Sequence, residues 1–302
     1  MNITASYSHS LIASDSKIGE LRDVIIVAVI VAAAFLFCLL TMIQIISFKL
    51  WKEQPIYILL LSQLSTDLSG LLLLFYRRLV TLVNIVLIPG DQRFGITGYF
   101  TTYILCSQLY HHGVIAISRL LNLLKQPNRV RLTNVISSKM FYVISAVATN
   151  CIAIGIAFIV LRNYQFYVKP GFVGQNINNA TVQDRLELRL FLFIDGIVWP
   201  TFTVSVYVAC FIMLRLTRSS TSTLQHSVFS KAETTILYVS FINAMVLVAM
   251  QLAWSFVPSY NSIASIASHS TFSILRLVLS KKARKDMLHL LCPKLSVQVL
   301  NR

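Results

Sequence analysis

Five of the ionisable side chains inside otherwise apolar stretches could do chemistry there: Asp67, the adjacent pair His111 and His112, Arg119 and Asp195. Hydrocarbon is a costly place for an ionised group, so each of them must be neutral, paired or in use. Asp67 lies in LSQLSTDLSGLLLL, about halfway along its apolar run. Two chemistries fit it: a sodium- or water-linked switch, or a protonated, hydrogen-bonded structural acid. Asp195 precedes Pro200 in a later run. Its depth suits a ligand-facing carboxylate, or a hydrogen bond to a neighbouring helix, for instance at Asn150. His111 and His112 lie ~11–12 Å before Arg119 at helical rise. Adjacent helical residues point about 100° apart, so at most one of the two faces the centre of a bundle. Such a histidine is either neutral and satisfied or a sensor of pH or ligand. Arg119 closes the run Gly95–Leu124, with Lys125, Pro127, Arg129 and Arg131 just beyond. A guanidinium there either snorkels to the interface or bonds polar groups of adjacent helices.

A second group is aromatic and polar. Gln251, Trp254 and Tyr260 end one apolar run, and Tyr103 and Ser107 lie in the outer half of another. With Asp195 they would line a small-molecule pocket; as aromatics at helix ends they would equally form an interface belt. His269 stands alone in the last run and reads as structural.

Other chemistry is not visible. HExxH, GxSxG and Walker A patterns are missing, and so is a transporter-like repeat. No lysine lies between Lys231 and Lys281, so the last run offers no Schiff base for retinal. The five cysteines form no CxxC and no Cys/His cluster. We expect no enzyme activity, no cofactor and no metal, sodium near Asp67 excepted.

These residues need helices in a membrane to position them. Of 302 residues 56% are hydrophobic and 12% are charged, with mean hydropathy +0.71. A soluble domain would carry about twice that charged fraction. Apolar runs of about 20 residues recur, each long enough to cross ~30 Å of hydrocarbon as a helix. Seven are predicted: Val24–Phe48, one from Ile56, Gly95–Leu124, Met140–Leu161, Leu188–Leu214, Thr234–Val257 and Ile263–Leu279. In the second, Arg77 and Arg78 lie ~15 Å beyond Asp67, at the headgroups. The apolar stretch 79–89 either extends that helix or lies along the interface. Ser280–Leu291 is basic and amphipathic, suited to the inner leaflet. The expected fold is an all-α membrane protein: a seven-transmembrane helix bundle followed by a short amphipathic helix. Residues 1–22 would be an extracellular tail, 23–279 the membrane domain, and 280–302 cytoplasmic.

The net charge of +15 comes from short loops, so it reports topology rather than nucleic-acid binding. With the N-terminus outside, 17 of the 26 Lys and Arg residues fall on the inner side and nine remain. That bias favours N-out, C-in. The sequons at Asn2 and Asn179 then both lie outside, as glycosylation requires. Cys292 is a palmitoylation candidate. The first apolar run is too long for a cleaved signal and reads as a signal anchor.

With Asp67 in LSTDL and Ser118-Arg119-Leu120 closing the third span, the chain resembles a rhodopsin-like G-protein-coupled receptor. Its small loops and altered motifs are most similar to nematode serpentine chemoreceptors. Ser118 stands where the family has an acid, and Phe94 where it has a cysteine. The resemblance implies that Asp67, Arg119 and Pro200 form the activation machinery. It also implies a small-molecule ligand and a heterotrimeric G-protein partner. Location would be the plasma membrane, with the sensory cilium as the specialised case. An inverted ligand-gated cation channel and a small transporter are the alternatives.

Overall fold

The computed structural model describes residues 3–83, 96–124, 138–162, 168–169, 172–173, 194–220, 231–256 and 261–291. Asn2, Asn179, Tyr260 and Cys292 lie outside them, as do residues 84–89 of the ambiguous apolar stretch.

The described chain is helical apart from one two-residue ribbon. Its helices are α1 (Ile3–Ser47), α2 (Leu50–Glu53), α3 (Ile56–Val83), α4 (Ile96–Leu123) and α5 (Lys139–Arg162). A π-helical turn, Ile194–Val198, leads into α6 (Trp199–Ser220). Then come α7 (Lys231–Phe256), α8 (Asn261–Leu279) and α9 (Lys281–Leu291). Strands β1 (Val168–Lys169) and β2 (Phe172–Val173) pair antiparallel between α5 and the π turn.

Among the described residues, four helices are long and apolar enough to cross a membrane by length and composition: Val24–Ser47, Ile56–Val80, Lys139–Ile159 and Ile194–Leu216. Thr234–Met250 is a shorter apolar stretch. Helix α4 is long enough but carries Gln108, His111, His112 and Arg119. Their partners, described below, are inside the bundle.

The interior mixes apolar clusters with many polar groups, while much of the outer surface is apolar. Large apolar side chains such as Ile26, Val29, Phe37, Val147, Phe158 and Ile159 face outward, while Gln44, Gln63, Asp67, Gln108, His111 and Asn243 are buried. Outward apolar groups cost nothing against lipid, and inward polar groups can satisfy one another. The long helices close a ring in which α1 packs on α3 and α8, α6 on α7, and α7 on α8. Helix α4 is central and touches α3, α5, α6 and α7.

Local chemistry explains several boundaries. Ser138 Oγ accepts from the Phe141 amide at 3.2 Å and caps α5. Ser280 Oγ does the same for the Ala283 amide at 3.1 Å, which separates α8 from α9. Pro200 has no N–H, and in a regular helix its ring would crowd the carbonyl four residues back. The π turn lies at that place and widens the backbone. Asp195 and Pro200 therefore do not share one regular helix. Residues 79–83 continue α3, so at least that part of the ambiguous stretch extends the second span. The backbone is helical from Ile3 and continuous with the first span. No proline interrupts it, and its lone glycine, Gly19, costs about 1 kcal/mol.

Candidate functional site

The polar interior is organised around α4. Asp67 is fully buried on α3. Its Oδ1 accepts from Gln108 Nε2 of α4 at 2.9 Å and lies 3.0 Å from His269 Nδ1 of α8. Gln108 Nε2 also donates to the Ser268 carbonyl at 3.1 Å. Two acceptors fix the amide's orientation, so Gln108 Oε1 points away from both and has no hydrogen-bond partner among the described residues. Two nitrogens, rather than oxygens, thus face Oδ1 of Asp67. Among the described residues no group of three His, Cys, Asp or Glu side chains is arranged to hold a metal ion.

The imidazole of His269 lies directly on Gly70 of α3. A Cβ at Gly70 would come within 2.5 Å of the ring. His269, a lone histidine in its sequence context, is therefore a partner of Asp67.

Both histidines of the α4 pair are buried and engaged, at different depths around the helix. His111 Nδ1 lies 2.7 Å from the Ser107 carbonyl, which can only accept, so Nδ1 carries a proton. Its Nε2 meets Ser62 Oγ at 2.9 Å. His112 Nε2 meets Gln63 Nε2 at 3.0 Å and Asn243 Nδ2 of α7 at 3.1 Å. The pair thus ties α4 to α3 and α7 rather than leaving one ring idle.

The expected ligand residues are held by protein partners. Tyr103 and Ser107 both donate to Asn150 Oδ1 of α5, at 2.8 and 3.0 Å. Asn150 Nδ2 in turn donates to Ser62 Oγ at 2.9 Å. Asp195 does not bond to Asn150. Its carboxylate accepts from the Tyr110 hydroxyl at 2.9 and 3.0 Å and from the Cys106 thiol at 3.8 Å. Next to it, Trp199 Nε1 donates to the Leu109 carbonyl at 3.0 Å, and the indole lies on Gly113. Gln251 and Trp254 fall on the last turns of α7, where side chains lie outside the described residues.

A small, partly open pocket lies elsewhere, between α3, α4, α7 and α8. Its polar lining is Arg77, Thr101, Gln108, Ser265 and His269. Leucines, Ile104 and Met250 supply the apolar wall. Tyr103, Ser107 and Asp195 do not line it. Arg77 donates to Thr101 Oγ1 at 2.5 Å.

The other end of the bundle carries Arg119 and Arg276. Arg119 is only 2% exposed, so it does not snorkel outward. It lies within electrostatic reach of Tyr207 and Cys210 on α6. Arg276 stacks over the Tyr57 ring at 5.2 Å. Helix α9 turns Ala283 and Met287 inward and Lys281, Arg284 and Lys285 outward. Gln44 Nε2 of α1 donates to the Ala283 carbonyl at 2.8 Å and holds α9 against the bundle.

Fold and site together define an all-α, membrane-embedded protein with a hydrogen-bonded polar interior. No protein-family model matches the chain, and no curated protein matches it either.

Proposed function

We propose that the chain is a seven-helix chemosensory receptor that binds a small molecule in the outer half of the bundle and signals to a heterotrimeric G protein. The observation that carries this reading is Arg119: a guanidinium 2% exposed, at the inner end of the central helix α4, facing α6. A buried cation of this kind favours a closed inner face until the helices around it move. The pocket toward the other end of α4 offers a ligand a way to bias that movement. A ligand does so only through different affinities for the two arrangements.

Three further spans join the four apolar helices in this reading: α4, α7 and α8. Helix α4 is polar because its polar groups meet inside the ring. The N-terminus is outside and α9 lies on the inner leaflet, where its exposed lysines and arginine meet anionic lipid.

Topology tests the reading most directly. A glycosidase-sensitive shift that disappears in Asn179→Gln is the expected result. A sequon engineered into residues 215–231 should remain unmodified. Glycosylation at that engineered sequon would invert the chain and favour a ligand-gated channel instead.

A further inference from the structure

Three of the apolar spans have an end at one corner of the bundle. The span of α1 ends at Ser47, that of α3 begins at Ile56 and that of α5 begins at Lys139. Helix α2 lies between the first two. Lys49 enters it in the left-handed region, with φ 50° and ψ 36°, and Leu50 is buried behind it. Trp51 is left half-buried, packed on an apolar cluster that includes Ile45, Ile56 and Tyr142.

Two lysines converge on the Trp51 ring. Lys52 Nζ lies 5.6 Å from its centroid and Lys139 Nζ, from α5, lies 5.5 Å from it. Each nitrogen is thus held near the same point, and the two are no more than about 11 Å apart. Both side chains are exposed, and neither has a carboxylate partner among the described residues. Glu53, beside Lys52 in the chain, is bonded instead to Lys282 Nζ of α9 at 2.9 Å. The indole face attracts the two cations but does not neutralise them.

From Lys139 toward the middle of its span, α5 presents Met140, Val143, Ile144 and Val147, all exposed. Their spacing of three and four places them on one face. An interfacial aromatic, free cations beside it and an apolar stripe leading inward match the parts of a single lipid.

We propose that Trp51, Lys52 and Lys139 form a binding site for one net-anionic phospholipid. Its phosphate lies between the two ammonium groups, its glycerol backbone meets the edge of Trp51, and an acyl chain follows the α5 stripe. A choline lipid is disfavoured, because the lysines repel the trimethylammonium that would otherwise stack on the indole. The site needs a membrane-embedded chain and nothing more of the receptor reading. With the N-terminus outside, it faces the inner leaflet, where anionic lipid is found.

The test is photocrosslinking of the full chain in phosphatidylcholine nanodiscs. The probe is a minor fraction of phosphatidylglycerol with a diazirine near the top of one acyl chain, and crosslinked peptides are quantified by mass spectrometry. We expect crosslinks within residues 140–147 that added phosphatidylglycerol competes away and added phosphatidylcholine does not. The double variant Lys52→Ala, Lys139→Ala should lower this crosslinking by about ten-fold or more, the effect of two surface lysines on an anionic lipid. The double variant Lys281→Ala, Lys285→Ala removes two exposed charges from α9 and should leave it unchanged. An equal fall in both double variants would mean diffuse charge attraction and would overturn the site. Competition by phosphatidylcholine as strong as by phosphatidylglycerol overturns it too, in wild type alone, and so do crosslinks confined to other helices. Neither signalling nor the orientation of the chain enters this readout, so failure here leaves the receptor reading standing.

Discussion

His269 Nδ1 lies 3.0 Å from Asp67 Oδ1, although the two residues are 202 positions apart in the chain. The contact joins α3 to α8 across a buried interior, and Gln108 of α4 joins it from a third helix. Removing one member of a buried pair leaves the other without its partner, at a cost of about 3–5 kcal/mol. Asp67→Ala and His269→Ala should each lower stability in a mixed-micelle denaturation titration. The double variant should cost little more than either single one, with a coupling above ~1 kcal/mol. Additive losses would show that the contact contributes nothing of its own.

Three helical glycines give a graded packing test. A Cβ at Gly70 meets the His269 ring at 2.5 Å, and one at Gly113 meets the Trp199 indole at 2.5 Å. At Gly155 nothing lies within 4 Å. Overpacking costs about 1–3 kcal/mol, whereas Gly→Ala at an open helical site gains up to ~1 kcal/mol. Gly70→Ala and Gly113→Ala should therefore destabilise, and Gly155→Ala should be neutral or stabilising. Equal effects at all three would mean that close approach is not what Gly70 and Gly113 provide.

Much of the helix layout was legible because local pattern sets it. Met140–Leu161 and Ile263–Leu279 fall within two residues of α5 and α8, and Ser280–Leu291 becomes α9. Asp67 and Arg119 stood out because charge is rare in apolar runs. Their partners did not stand out. His269 looked solitary because nothing local reveals which face of α8 meets α3. Gly70 was the available signal, since a glycine amid leucines marks a close approach. Tyr103 and Ser107 share a face of α4 by their spacing of four, but their common partner Asn150 comes from another helix. Tyr110 escaped notice as one aromatic among many, yet it is the main partner of Asp195.

Acid should tighten the docking of α9. Burial raises the Asp286 carboxyl above its ordinary value of 3.8, against the opposing pull of Lys282 and Arg276. With the docked value raised, Asp286 takes up a proton more readily docked than free. As pH falls toward that range, docking therefore strengthens, and as pH rises through the docked value, that contribution is lost. Hydrogen exchange across 281–291 should slow on acidification beyond its intrinsic pH dependence. Asp286→Asn should slow it at neutral pH and remove the additional acid effect. Exchange that quickens in Asp286→Asn would reverse the sign argued here.

On the proposed receptor reading, Arg119 is the residue on which signalling should depend most. Its side chain is among the largest fully buried ones, and it meets α6 near Tyr207 and Cys210. Replacing it with alanine removes a desolvated charge, so folding need not suffer as it would if a neutral partner of that charge were removed. Coupling should suffer, because no other described basic residue of α4 is available to meet a G protein when α6 moves. We expect Arg119→Ala to reach the cell surface at near wild-type levels and to lose nucleotide exchange on the G protein by at least about ten-fold, the effect of one charge-assisted contact. Arg119→Lys should keep part of the activity, since it keeps the charge but not the planar fork. Surface expression by flow cytometry and exchange on isolated membranes separate the two effects. Full exchange activity in Arg119→Ala would leave the arginine a structural helix end and would remove the observation on which the receptor reading rests.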